Sequence, residues 1–243
     1  MKKKNAVYKL KEVYRKLSVP QFTIVTGLII IFFGTLILSS PLCSSKDVGL
    51  WEAFFTSTSA ITVTGLTIID VGVDLNIFGQ IFLAIMLLSG GLGLMAITTF
   101  LQGFVVKGTQ LRTRLDKGKT LDEFGVGGIG RTFQSIAITA TAIISLGAIV
   151  LYFFGFLEIQ NKWERLWSAI FHSISAYNNA GFSLWSNSLQ DYRSNFVVNI
   201  VFIFLIVMGG LGWRVIDDIW CNRKNLSYKK LSLHSRLVLR TSF

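Results

Sequence analysis

Four long stretches of this chain carry no charged side chain: 17–45, 75–106, 132–157 and 194–213, of 29, 32, 26 and 20 residues. Each can hold the roughly 20 consecutive apolar residues that cross the hydrocarbon core of a bilayer. A soluble domain has no use for four such runs, because about a quarter of its residues are charged. Here only 15% are charged and 51% are hydrophobic, and the charges are gathered between the runs. The pattern predicts an all-α integral membrane protein with the lipid bilayer around it.

The charges between the runs are also sorted by sign. Residues 1–16, 107–131 and 214–243 together hold 20 Lys/Arg against 6 Asp/Glu, whereas 46–74 and 158–193 hold 4 basic and 7 acidic residues. By the positive-inside rule the first group is cytoplasmic and the two loops lie outside. The expected location is the plasma membrane, multi-pass, with both termini in the cytoplasm. The lead MKKKNAVYKLKEVYRK reads as a cytoplasmic anchor: the first apolar run starts late, is long, and has no small-residue cleavage site after it. The net charge of +11 is then mostly topology, with some contact to anionic lipid, and it calls for no nucleic-acid partner. Cys43 and Cys221 fall on opposite sides of the membrane, which rules out an intrachain disulfide.

The runs are arranged in two copies of one unit. Residues 51–67, WEAFFTSTSAITVTGLT, return 116 positions later as 167–183, WSAIFHSISAYNNAGFS, with seven of seventeen positions identical. Gly90-Gly91-Leu92-Gly93 returns as Gly209-Gly210-Leu211-Gly212. Repetition at a fixed spacing is a statement about architecture. The chain divides into a basic arm (1–17), a first repeat (18–106), a basic linker (107–131), a second repeat (132–220) and a tail (221–243). Expected spans are 21–40, 76–105, 132–156 and 195–220. Between the spans of each repeat lies a short helix (51–61 and 164–177) and a polar turn (62–67 and 178–183). An 11-residue helix rises only ~16 Å, about half the hydrocarbon thickness, so it must enter and leave on one face. Non-helical backbone at membrane depth is tolerated only where it lines a water-filled path or is buried in protein. Each repeat therefore reads as helix, pore helix, filter turn, helix, as in potassium channels.

The turns supply the chemistry. A dehydrating cation needs oxygens in place of its water shell, and backbone carbonyls provide them. Turning carbonyls inward takes unusual φ/ψ, which glycine visits cheaply. Thr62-Val63-Thr64-Gly65-Leu66 and Asn178-Asn179-Ala180-Gly181-Phe182 are the predicted ion filter. The negative C-terminal end of each short helix points at its turn and favours a cation; neither turn contains Lys or Arg.

A Ser/Thr-rich pore helix, a single-glycine TVTGL turn and a Gly-Gly-Leu-Gly second span together resemble the Trk/Ktr/HKT potassium-transporter superfamily, and most of all the membrane subunit of Ktr-type systems. The resemblance covers about 18–240. It implies a K+-conducting subunit with Gly65 and Gly181 as filter glycines; glycine there goes with K+, serine at the first position with Na+. It also implies a cytosolic nucleotide-binding regulatory subunit as partner. Members of the superfamily have four repeats, and this chain has two, stopping at Leu239-Arg240-Thr241-Ser242-Phe243 where a third would begin. Half a ring would leave filter turns facing lipid, at several kcal/mol per unsatisfied polar group. The remaining pore half, from a second chain or a homodimer, is thus an expected partner. A Na+ (or Na+-coupled) transporter and a non-conducting truncated product are the alternatives.

Other motifs add little. Gly125-x-Gly127-x-x-Gly130 formally fits a dinucleotide fingerprint, but no strand precedes it and no βαβ unit surrounds it, so it reads as a flexible linker. His172, opposite Thr56 in the repeat, has no second His or Cys near it to share a metal. Arg214 with Asp217 and Asp218 has the spacing of a local helical ion pair. The Gly-Gly-Leu-Gly motifs serve as gating hinges or as close helix contacts, the commoner use of small residues in membranes. No Ser/His/Asp, Cys/His or paired-carboxylate set is present, so an enzyme is not expected, nor a cofactor or structural metal.

Overall fold

The computed structural model describes residues 19–91, 126–212, 215–216, 218–219 and 231–242. Among them the order is α1 (Val19–Leu38), α2 (Leu50–Thr62), the single turn α3 (Val71–Asp74), α4 (Ile77–Gly91), α5 (Val126–Val150), α6 (Lys162–Tyr177), α7 (Phe196–Leu211) and α8 (Leu233–Ser242). Among the described residues no strand occurs; one isolated bridge pairs Ser44 with Leu75. The helices are all-α architecture in two like units. In the first, α1 and α4 pack on α2; in the second, α5 and α7 pack on α6; α4 against α6 joins the units.

Polarity is inverted relative to a soluble core. Phe32, Phe33, Phe153, Phe154, Ile203 and Phe204 face outward, whereas Thr56, Ser57, Ser59, Ser168, His172, Ser173, Ser175 and Asn178 are buried. Only a hydrocarbon solvent makes that arrangement cheap, since lipid tails are as apolar as Leu and Phe themselves. Gln134–Gly155 is long and apolar enough to cross a membrane, and three shorter apolar helices (Thr23–Leu38, Ile77–Gly91, Phe196–Leu211) accompany it.

Local chemistry sets the boundaries. The short helices begin at polar caps: the Glu52 carboxylate accepts from Gly49 N at 2.8 Å, and Asn161 Oδ1 accepts from Trp163 N at 3.0 Å. Asn195 caps α7 by accepting from Val197 N and Val198 N at 3.1 and 3.2 Å, while its amide donates to Gly155 O at 3.1 Å. That last bond ties α7 to the π-helical turn Leu151–Gly155 that closes α5.

Two expectations need correction. The linker was expected to stay irregular to residue 131, yet α5 starts at Val126 and takes in Gly127, Gly128 and Gly130. A long helix propagates into neighbouring glycines at about 1 kcal/mol each, and no proline stops it. The final span, expected over 195–220, is interrupted: α7 ends at Leu211, where Gly212 adopts φ 78°, ψ 149°, and residues 215–216 and 218–219 are helical again. Leu92, Gly93, Arg214, Asp217 and Cys221 lie outside the described residues. Asp218 accepts from Ser232 N at 2.8 Å, and Cys43 is buried with a free thiol.

Candidate functional site

The C-terminal ends of α2 and α6 lead into turns with the same backbone. Val63 and Asn179 are both at φ 55°, and Gly65 and Gly181 are at 78° and 74°. These are corresponding positions of the repeat. The hydrogen bonds correspond as well: Thr64 N donates to Ser59 O at 3.0 Å, and Ala180 N to Ser175 O at 2.8 Å. Thr62 Oγ1 bonds back to Thr58 O, and Asn178 Nδ2 to Ile174 O, each at 2.8 Å. A β-branched residue at positive φ is an outlier, so Val63 marks a conformation that its surroundings impose.

The two turns touch each other. A methyl group placed on Gly65 would run into the carbonyl oxygen of Ala180 and come within 3.3 Å of Gly181 Cα; one on Gly181 would sit 3.6 Å from Gly65 Cα. Two helix C-termini, each worth about half an elementary negative charge, thus lead into adjoining backbone segments. Such a place repels anions. Asn178, Ala180 and Phe182 are buried, with Asn179 and Gly181 exposed between them; in the first turn Leu66 is 64% exposed, Thr62 and Thr64 are exposed, and Val63 and Gly65 are half-buried. Three of the five residues of the second turn are thus buried, and none of the first.

Glycines of the spans lie against both turns. Gly90 of α4 presses on the Ala60 and Ile61 carbonyls of α2, and Gly209 of α7 presses on the Tyr177 carbonyl of α6, its counterpart. Gly91 abuts the Asn178 side chain of the other unit, while nothing lies within 4 Å of where a Cβ on Gly210 would be. The first glycine of each motif is thus a packing contact, and Gly212 is where α7 breaks. Asn178 Oδ1 is buried without a hydrogen-bond partner.

Several contacts were not legible beforehand. Trp51 is 80% exposed, but its repeat partner Trp167 donates its indole N–H to Gln80 Oε1 at 2.7 Å, linking α6 to α4. Beyond the turns, Gly72 sits against Leu184 O, beside an open hollow of about 540 Å³ lined by Gly72, Val73 and residues 184–187. His172 is buried in aromatic rings: it stacks on Trp185 with centroids 4.1 Å apart and meets the edge of Phe156 at 5.7 Å. Among the described residues no group of His, Cys, Asp or Glu could hold a metal ion.

An all-helical body with apolar residues outside and hydroxyls within defines an integral membrane protein. Residues 21–243 match the TrkH family, described as cation transport protein, and the chain belongs to that family. It is 33% identical over 221 residues to Ktr system potassium uptake protein B of Bacillus subtilis, covering 90% of this chain and 48% of that protein. It is 32% identical over 235 residues to potassium/sodium uptake protein NtpJ of Enterococcus hirae, covering 94% and 50%. Ktr system potassium uptake protein B of Vibrio alginolyticus is 30% identical over 222 residues, covering 90% and 48%. The chain spans about half the length of these curated relatives. The family is one of transporters rather than enzymes.

Proposed function

We propose that the chain forms half of a cation-conducting pore selective for K+, within a Ktr-like uptake system, with Thr62–Leu66 and Asn178–Phe182 as two of its filter segments. The observation that carries this reading is the paired backbone: φ 55° then 78° in one turn, 55° then 74° in the other. Both follow helix C-termini and they meet at Gly65 and Gly181. Short side chains would obstruct this geometry, so the carbonyls and not the side chains offer the oxygens.

The contact between units supports a missing half. Gly91 holds Asn178 of the next unit; Thr62, which corresponds to Asn178, is uncovered, and so is Gly210, which corresponds to Gly91. One more application of the same contact would seat another unit on each. That unit belongs to a second chain, a second copy, or a continuation of this one. A cytosolic nucleotide-binding subunit is the regulatory partner, docking on the basic cytoplasmic side; a pull-down that recovers no such protein, with nucleotide bound by this chain instead, would overturn that part. The termini and linker face the cytoplasm on the strength of their Lys/Arg excess.

The filter is tested by Gly65→Ser in the assembled pore. Relative rubidium and sodium uptake per folded molecule should shift toward sodium. An unchanged ratio with lower yield would mean that Gly65 only ends a helix. A Na+-permeable pore is the second reading, favoured by the likeness to a potassium/sodium uptake protein; a wild-type ratio near one would support it.

A further inference from the structure

We propose that His172 is a positioning residue of the second filter turn, bolting its exit segment to α6 through Ser183, a tie for which the first turn has no counterpart at the same position. The proposal rests on the ion-filter reading above.

The repeat makes the comparison position by position. Thr56 corresponds to His172, Thr67 to Ser183 and Ile69 to Trp185. In the first unit the Thr67 hydroxyl donates to Ile69 O at 2.9 Å and accepts from Ile69 N at 3.2 Å, so that it closes on its own segment. In the second, Ser183 Oγ likewise accepts from Trp185 N at 3.1 Å. Its remaining contact, however, goes to His172 Nε2 at 3.1 Å, and Leu184 N donates to the same nitrogen at 3.4 Å.

The direction of these bonds follows from the other side of the ring. Nδ1 lies 2.8 Å from Ser168 O, which can only accept, so Nδ1 carries the proton and Nε2 the lone pair. Ser183 Oγ is then the donor. The imidazole is held in plane by stacking on Trp185 and by the Phe156 edge, and it is 1% exposed. A side chain so fixed transmits the position of α6 to residues 183–184, immediately after Gly181 and Phe182. Phe182 O receives a further bond from Ser175 Oγ at 2.7 Å. In the first unit Thr56 Oγ1 is buried without any partner, and the turn is tied to its helix at an earlier point instead, by Thr64 Oγ1 donating to Ser59 Oγ at 2.9 Å. Two turns of equal backbone shape therefore differ in what holds them.

The test uses the chain expressed from its own locus with flanking sequence intact, in cells lacking other potassium uptake. Ser183→Ala removes the hydroxyl donor with little change of volume, and His172→Phe keeps the ring but not the acceptor. Each should lower the rubidium-to-sodium uptake ratio per folded molecule by roughly threefold to tenfold, the scale of one lost hydrogen bond. The effect of the double variant should be much less than the sum of the two single ones, because both cut the same link. Ser183→Thr, which supplies the residue of the first unit, should keep the wild-type ratio. If Ser183→Ala leaves the ratio unchanged while Gly65→Ser shifts it, the His172 role is wrong and the filter stands. If neither shifts it, the filter reading falls and this proposal with it.

Discussion

At the scale of single residues, Gly65 and Gly181 share a backbone but not a neighbourhood. Both sit at positive φ, where an L side chain costs about 1–2 kcal/mol. Only at Gly65 would a methyl group also strike backbone, the Ala180 carbonyl of the other unit; at Gly181 the nearest atom is 3.6 Å away. Gly65→Ala should therefore lower the thermal midpoint clearly more than Gly181→Ala, measured in detergent on purified protein. Equal losses would show that strain alone matters and that the turns do not press on each other. That both glycines belong to turns was legible from the repeat. That one of them is a steric seam was not, because its collision partner is 115 residues away in the chain.

At the scale of helices, the Gly-Gly-Leu-Gly motifs divide their labour. Gly209 lets α7 lie directly on the last carbonyls of α6, whereas Gly210 faces open space. Gly209→Ala should reduce the yield of folded protein severely, since the obstacle is backbone and cannot turn aside. Gly210→Ala should leave this chain's own fold intact or raise its midpoint slightly, because Ala is better in a helix than Gly by about 1 kcal/mol. If a further unit seats on Gly210, the same variant should still fail to assemble, seen as loss of the larger species in native mass spectrometry. Sequence periodicity marks such glycines as small residues in a span. It does not say which of two neighbours meets backbone, because adjacent positions on a helix point about 100° apart and only the partner's location separates them.

At the scale of the whole molecule, the outward apolar faces and the charge asymmetry describe one object in a bilayer. The Lys46 ammonium, 64% exposed, lies 3.4 Å from Asp74, in a loop expected outside; Lys117 belongs to the linker expected inside. Cysteines placed at these two positions should react with a membrane-impermeant maleimide in opposite fashion, Lys46→Cys in intact cells and Lys117→Cys only after permeabilisation. Equal labelling from outside would break the two-unit topology. The units are also latched by the Trp167–Gln80 bond, whose loss in Gln80→Leu should cost about 1 kcal/mol and loosen one unit against the other.

The amino-acid sequence by itself determined the solvent, the number of long apolar runs and the duplicated short helix with its glycine turn. Each of these is a local property: the absence of charge over some 20 residues, or the recurrence of residue types at a fixed spacing, is present in the chain before it folds. Tertiary structure decided the rest. It brought Gly65 to Ala180, set Trp167 on Gln80, left Gly210 bare where Gly91 is covered, and turned His172 from an isolated histidine into the anchor of Ser183. These are long-range or directional contacts, and their existence depends on how two similar units are rotated against one another, which no single segment encodes. The α5 start at Val126 and the α7 break at Gly212 belong to the same class. Glycine permits both helix and break, and the surrounding helix or its packing selects between them.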